Sequence, residues 1–371
     1  MASRVPSHEQ IVYKGCVSVY AIVLAAGEGT RMQSTRPKPL HKICGQEMII
    51  HVINSLKELQ VKKTVVVVGH GAKQVTEIVT KQSPKWAHVS FAEQKQQRGT
   101  GDATIVGLTE IDALAGATSE VSDTSTIIVM PGDTPLLKTS TISTLVNEHQ
   151  NSKNAATVLT AFVDAPTGYG RILRAKDDRV LKIVEERDAS QEIKSINEIN
   201  TGIYAFRRDL LGPALRRISN KNSQSEYYLT DVVEVLASMG HHIGSHTAPA
   251  NEVSGVNDRW QLALAERELR ERTNTAWLMS GVTMIDPKQT FVDVTVKIGR
   301  EVTLLPGTFL QGNTVIGDNC EIGPNTRLVD TFVGTGARVE MTNAREAKIG
   351  KNAKIGPFAN LQPGSVVPDA G

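Results

Sequence analysis

Val17-Ser-Val-Tyr-Ala-Ile-Val-Leu-Ala-Ala-Gly-Glu-Gly-Thr-Arg-Met32 decides how this chain is read. The run Val17 to Val23 is short, apolar and rich in Val and Ile, the pattern of a strand buried on both faces, and small residues and glycine follow it. Gly27 and Gly29 allow a turn with positive φ and let a ligand reach bare backbone. Successive N–H groups in such a turn form a concavity that suits an anion. Arg31 and Lys38 add positive charge, with Arg36 a third candidate, and Pro37 and Pro39 stiffen the chain around Lys38. The expectation is a phosphate-holding loop at the carboxyl end of the first strand of an α/β sheet. Spacing alone leaves a solvated basic loop open: Met32 stands where a GxGxxG fingerprint needs its third glycine, and no GxxxxGK[ST] motif occurs.

The pattern repeats downstream. Met48 to Leu56 and Ala72 to Thr80 read as helices, and Thr64–Gly69, Val89–Ala92 and Thr126–Met130 as strands. Gln94 to Ala103 is a second small-residue loop opening a helix, and Pro131-Gly-Asp-Thr-Pro135 breaks the fourth strand. Alternating strands and helices imply a doubly wound, mostly parallel sheet covered on both faces. Further strands are expected at 155–162, 171–173, 180–185 and 199–206, with a closing helix from Glu226 to Leu236. Asp258 and Gln261 have capping-box spacing at the head of a charged helix carrying Trp260, Leu264 and Trp277, read as a connector.

From Val296 the period becomes six. Ile298, Leu304, Leu310, Ile316, Ile322 and Leu328 keep it; a disturbed stretch spans Phe332 to Lys348, and Ile349, Ile355, Leu361 and Val367 resume it. This is the mark of a parallel β-helix with aliphatic residues turned inward. The expected organisation is a polar leader (1–16), a nucleotide-handling domain (17–256), a connector helix (257–281) and a short β-helix (282–371).

Composition limits the chemistry. The 371 residues carry 41 basic and 39 acidic side chains, a net charge of +2, which gives no bulk case for nucleic acid or a membrane surface. No apolar run is long enough to span a bilayer. Cys16, Cys44 and Cys320 form no CxxC pair, which argues against a disulfide framework or zinc site and suits a cytoplasmic protein. Asp133, at a strand's carboxyl end, is placed to hold Mg²⁺ over phosphates, although Gly, Asp and Pro also make ordinary turns. Asn257 reads as a helix-start residue. Glu185 and Asn200 lie at strand ends near glycine turns, where they face either sugar hydroxyls or solvent.

Taken together, Leu24-Ala-Ala-Gly-x-Gly-Thr-Arg-Met, Pro37-Lys38, Gly99-Thr-Gly-x-Ala103, Gly132-Asp133, Thr167-Gly-Tyr-Gly-Arg171, Ile183-Val-Glu185, Glu198-Ile-Asn-Thr-Gly202, Glu226-Tyr-Tyr-x-Thr-Asp231 and Gly255-Val-Asn257, in order and followed by hexapeptides, resemble the bacterial GlmU family. These are N-acetylglucosamine-1-phosphate uridylyltransferases fused to a glucosamine-1-phosphate acetyltransferase. The resemblance implies a Mg²⁺-dependent enzyme joining UTP and N-acetylglucosamine 1-phosphate, and a left-handed β-helix through which three copies assemble. It implies that Leu24, Ala25, Ala26 and Gly27 contact the nucleotide through backbone. Gln94, Gly99 and Thr100 would bind uridine, and Arg31 and Lys38 would neutralise the phosphates as the catalytic pair. Gly132 and Asp133 would lie at the substrate, Asp133 and Asn257 would ligate the metal, and Gly170, Glu185 and Asn200 would hold the sugar.

Three departures stand out. The family's Leu-Arg-Pro-Gly reads Leu361-Gln-Pro-Gly364, losing a basic sugar-phosphate ligand, and the chain stops before the coils that carry the remaining acetyl-transfer residues. Acetyl transfer is therefore expected to be absent. Pro131 replaces a frequent tyrosine. Asp102 sits close to the expected triphosphate, and is expected to point away from it. Rival readings are a nucleotidylyltransferase with another NTP or sugar preference, and a non-catalytic sugar-nucleotide-binding subunit.

Overall fold

The computed structural model describes residues 17–115 and 122–371; the expected leader and Cys16 lie outside them. The opening strand, β1 (Val19–Ala25), is the centre of a nine-stranded sheet. β2 (Lys63–Val68) and β3 (Val89–Glu93) extend it on one side. On the other lie β4 (Thr126–Pro131), β5 (Ala156–Phe162), β8 (Glu198–Arg207) and β9 (Ile243–Thr247), with β6 (Arg171–Arg174) and β7 (Val180–Val184) forming a flap on β8. The order is β9-β5-β8-β4-β1-β2-β3. All neighbours on this path are parallel except β8, which runs antiparallel to β4 and β5.

The central strands are apolar on both sides because each face is covered. Ala21 and Val23 of β1 join Val66 and Val68 of β2 in one core, and Tyr20 and Ile22 join Val65 and Val67 in the other. Alternate side chains of a strand point to opposite faces, so an unbroken Val/Ile run fills two cores at once. α1 (Met48–Asn54), α2 (Ala72–Gln82) and α3 (Thr100–Ala115) form where the apolar spacing and small-residue loops indicate.

The closing helix starts later than expected. α4 covers Asp231–Ser238, and Glu226 to Thr230 are not helical. Their backbone is engaged elsewhere: Tyr227 N donates to the Arg98 carbonyl (2.8 Å), its carbonyl accepts from Gly101 N (2.8 Å), and Leu229 N donates to Thr100 Oγ1 (3.0 Å). A helical turn here would leave the second glycine loop without partners.

The connector α5 (Arg259–Met279) begins as its capping signal indicates. Asp258 Oδ1 accepts from Gln261 N (2.8 Å), and Gln261 Oε1 reaches back to accept from Asn257 N (2.7 Å). Leu262, Ala265 and Leu269 pack on Ile43, Met48, Leu136 and Val256. Trp277 covers the end of the β-helix core, whereas Trp260 is exposed.

The hexapeptides build three five-stranded parallel sheets, the faces of a left-handed β-helix. Leu304, Leu310, Ile316, Ile322 and Leu328 are all within 2% exposure in a continuous core. From Phe332 to Lys348, where the sequence period is disturbed, the β-helix nevertheless runs through unbroken. Val315 pairs with Phe332, Glu321 with Arg338 and Arg327 with Asn343, while Val333, Val339 and Ala344 fill the core. Residues are lost at the corners, so the sequence period slips while the strands stay stacked.

Asn274 ties connector to β-helix. It is buried, and its Nδ2 donates to the carbonyls of Pro287 (2.8 Å) and Thr290 (2.9 Å). Asn274→Ala strands two buried acceptors and is expected to cost about 2 kcal/mol, read as an earlier urea midpoint at unchanged slope. A variant as stable as the parent would show that water replaces these bonds without loss.

Candidate active site

Parallel pairing brings the two loops of interest together. Leu24 is in register with Pro131, and Gly132 N donates to the Leu24 carbonyl (2.9 Å), so Asp133 emerges beside the first glycine loop. Val256 N donates to the Asp133 carbonyl (2.9 Å), which draws Asn257 to the same point. Lys38 Nζ donates to both Asp133 Oδ2 and Asn257 Oδ1, the latter at 2.8 Å, and Arg31 Nη2 also donates to Asn257 Oδ1 (3.0 Å). Four residues from three separate parts of the chain thus form one network. Arg36, exposed like Arg31, takes no part in this network.

The loop's glycines divide the work. Gly29 has φ +62°, and a Cβ there would meet Lys38 Cβ at 2.6 Å, so Gly29 is what lets the lysine stem lie against the loop. Gly27 does not take positive φ, contrary to the expectation for both glycines; a Cβ on it would meet nothing within 4 Å. Among the described residues, the backbone N–H groups from Gly27 to Arg31 donate to no other group. A row of unengaged donors at the mouth of a cavity is an anion cradle.

That cavity measures about 570 Å³. Leu24, Ala25, Ala26, Gly27, Arg31, Lys38, Gly132, Asp133, Gln94, Gly99 and Thr100 line it. Glu185, just after β7, and Asn200, on β8, line it on the side of the flap. Gly170 stands behind them: its carbonyl accepts from Asn200 N (2.9 Å), and a Cβ on it would come within 3.6 Å of Glu185 Oε2. Asn257 reaches the site through Lys38 and Arg31. Every expected site residue is therefore in or against one cavity.

The flap side is polar and partly dehydrated. Asn200 Nδ2 donates to the Tyr204 hydroxyl (2.8 Å), and Thr230 Oγ1 donates to Glu185 Oε1 (3.1 Å). Burial holds the Glu185 carboxyl above the usual carboxylate range, against the opposing bond from Thr230.

Asp102 is not on the cavity wall, but neither does it face solvent. It is buried, accepting from Gln94 Nε2 (2.8 Å) and Arg98 Nη2 (2.6 Å). Sequence reasoning assigned no site place to Gln97, Tyr204, Glu226 or Thr230, all of which line the cavity. Gln97 Nε2 donates to the Ala26 carbonyl (2.9 Å), tying the two glycine loops together. Glu226 and Thr230 belong to a motif quoted above, so their presence was legible although their place was not. Tyr204 sits mid-strand in an apolar run and gave no signal.

The donor set at Lys38 suits a hard divalent cation. One carboxylate and one amide oxygen converge on a point that an ammonium already occupies, and Mg²⁺-type sites commonly take one or two protein oxygens and leave the remainder to phosphates and water. Among the described residues no cluster of three His, Cys, Asp or Glu side chains forms an all-protein metal cage.

Comparison with known proteins agrees with this geometry. Residues 21–217 match the MobA-like NTP transferase domain, and residues 295–329 match the bacterial transferase hexapeptide (six repeats). The chain is 44% identical over 347 residues to the bifunctional protein GlmU of Caldanaerobacter subterraneus subsp. tengcongensis, covering 94% of this chain and 72% of the relative. It is 45% identical over 346 residues to the bifunctional protein GlmU of Streptomyces avermitilis, covering 93% and 70%. A transferase domain joined to a hexapeptide β-helix, aligned over more than nine-tenths of its own length with these relatives, leaves one assignment: the chain belongs to the GlmU family and is a nucleotidyltransferase.

Proposed function

We propose that the chain joins UTP and N-acetylglucosamine 1-phosphate to make UDP-N-acetylglucosamine and pyrophosphate. The observation that carries this reading is the Lys38 ammonium held between Asp133 and Asn257, with Arg31 beside it, under an open row of loop N–H groups. The sugar-phosphate oxygen forms a bond to the α-phosphorus of UTP as the bond from that phosphorus to the bridging oxygen breaks, and the electron pair leaves with pyrophosphate. The attacking oxygen is already ionised, so no general base is needed. Two anions must approach, however, and Arg31 and Lys38 offset their repulsion and the charge that grows on the leaving group. Leu24 to Gly27 position the triphosphate, Gln94, Gly99 and Thr100 the uridine, and Gly170, Glu185 and Asn200 the sugar. Asp133 and Asn257 would hold Mg²⁺, which supplies Lewis-acid polarisation of the phosphates when bound.

The β-helix supports two further parts of the reading. Phe332, Met341, Phe358 and Val366 are large apolar side chains exposed on its coils, the kind of surface a homotrimer would cover. Gln362 is neutral where the family's acetyl-transfer site has a cation, so the coils described here are proposed not to transfer acetyl groups. The unpaired cysteines, Cys44 and Cys320, are compatible with a cytoplasmic setting.

Pyrophosphate release across a matrix of NTPs and sugar 1-phosphates should peak at UTP with N-acetylglucosamine 1-phosphate; a peak elsewhere would point to a related enzyme of different specificity. Lys38→Ala and Asp133→Ala should each lower kcat/KM by about a hundredfold or more, and near-parental rates in both would remove the charge argument. Incubation with acetyl-CoA and glucosamine 1-phosphate should release no CoA, and light scattering should give three times the chain mass; CoA release or a monomer would overturn the respective point.

Glu185 supplies a pH test. Its carboxyl binds a proton more readily folded than unfolded, so its contribution to stability falls as pH rises from the unfolded to the folded pKa and stays low above it. Glu185→Gln should therefore raise Tm at pH 7.5 yet raise KM for the sugar phosphate. It should also flatten any rise of that KM as wild type is taken from neutral pH toward the ordinary carboxylate range. A parental KM in the variant would exclude Glu185 from the sugar site.

A further inference from the structure

Asp102 is given no task by the nucleotide reading, yet its surroundings are highly specified. It is 7% exposed, in the first turn of α3, and each of its carboxylate oxygens has its own partner. Oδ1 accepts from Arg98 Nη2 (2.6 Å) and Oδ2 from Gln94 Nε2 (2.8 Å). Gln94 Nε2 also donates to the Gly99 carbonyl (3.1 Å). A carboxamide's oxygen and nitrogen are told apart only by what surrounds them. Here both neighbours are acceptors, so the NH₂ must face them. That fixes the flip of Gln94, spends its donors on protein groups, and leaves Oε1 as its remaining polar atom. Gln94 lines the cavity, and among the described residues Oε1 accepts no hydrogen bond.

We propose that Asp102 is a positioning residue that sets which pyrimidine the cavity accepts, by locking the Gln94 amide so that it presents an acceptor. Uracil carries an N3–H donor and matches it. Cytosine carries a lone pair at N3, so Gln94 Oε1 and N3 would meet as two acceptors without a proton between them. A site built to hydrogen-bond one edge rejects the analogue that lacks it far more strongly than a pocket of mere shape. Without Asp102 only the Gly99 carbonyl opposes a turned amide, which would offer N–H to cytosine. Arg98, itself 58% exposed, keeps the buried carboxylate paired and aimed. Thymine shares the imide edge of uracil, so the device separates imide from amino pyrimidines and not one imide from another. The inference rests on Gln94 being the base-facing group, which the proposed function assigns to it.

The test is steady-state kinetics with UTP and CTP, at fixed sugar phosphate, for wild type, Gln94→Ala, Asp102→Ala, Asp102→Asn and Gln94→Ala/Asp102→Ala. Asp102→Ala should lower the ratio of kcat/KM for UTP over CTP by about tenfold, mostly through KM, with kcat for UTP changed by less than about threefold. Asp102→Asn, which can still accept from Gln94, should stay within about threefold of the parental ratio. On the Gln94→Ala background, removing Asp102 should change the ratio no further. If Asp102→Ala does not fold, Asp102→Leu fills the space without the acceptor and replaces it. A lost ratio in Gln94→Ala with a parental ratio in the Asp102 variant would overturn the role of Asp102 and keep the base contact. A parental ratio in Gln94→Ala would overturn the base contact itself.

Discussion

One ammonium group organises the site. Lys38 Nζ donates to the Asp133 carboxylate and the Asn257 amide oxygen, and through Asn257 it is linked to Arg31. Each partner comes from a different layer of construction. Lys38 is carried by the loop after β1, Asp133 by the turn after β4, and Asn257 by the residues that lead into α5. The parallel β1–β4 pairing sets the first distance, and the Val256–Asp133 backbone bond sets the second. A partly buried ammonium left without these oxygens would carry an uncompensated desolvation cost, so the network helps to hold the three segments together before any ligand arrives.

The Glu185 side shows the opposite balance. Its carboxylate is held largely out of water with one hydroxyl donor, a state that costs stability. Such costs concentrate where a ligand is to supply the missing partners. One side of the cavity is satisfied in advance and the other waits.

Much of this was legible in the residues. A double-faced Val/Ile run needs two covered faces, and that requirement alone gave the layered sheet; aliphatics six apart gave the β-helix. What failed to appear in the pattern had physical causes. Glu226 to Thr230 carry helical spacing, but the glycine loop's need for backbone partners overrides it. The slipped period from Phe332 to Lys348 looks like a break because spacing counts residues, whereas stacked strands count coils, and corners absorb the difference. Asp102 looked like a repulsive charge to be turned away, since a sequence cannot show that Arg98 and Gln94 close around it. The convergence of Lys38 with Asn257 rested on motif resemblance alone, because no local rule links residues so far apart.

The position of Asn257 also bears on when the protein becomes competent. Chains are made from the amino end, and domains tend to fold as they emerge. The strands of the first sheet end at Thr247, so the sheet can be complete while the residue that receives both Lys38 and Arg31 has yet to be added. Arg259, which donates to the Met32 carbonyl (3.1 Å) and so fastens the glycine loop, comes later still. The order of synthesis therefore separates having the fold from having the site: a nascent chain with every strand of its sheet in place still lacks the last corner of its charge network.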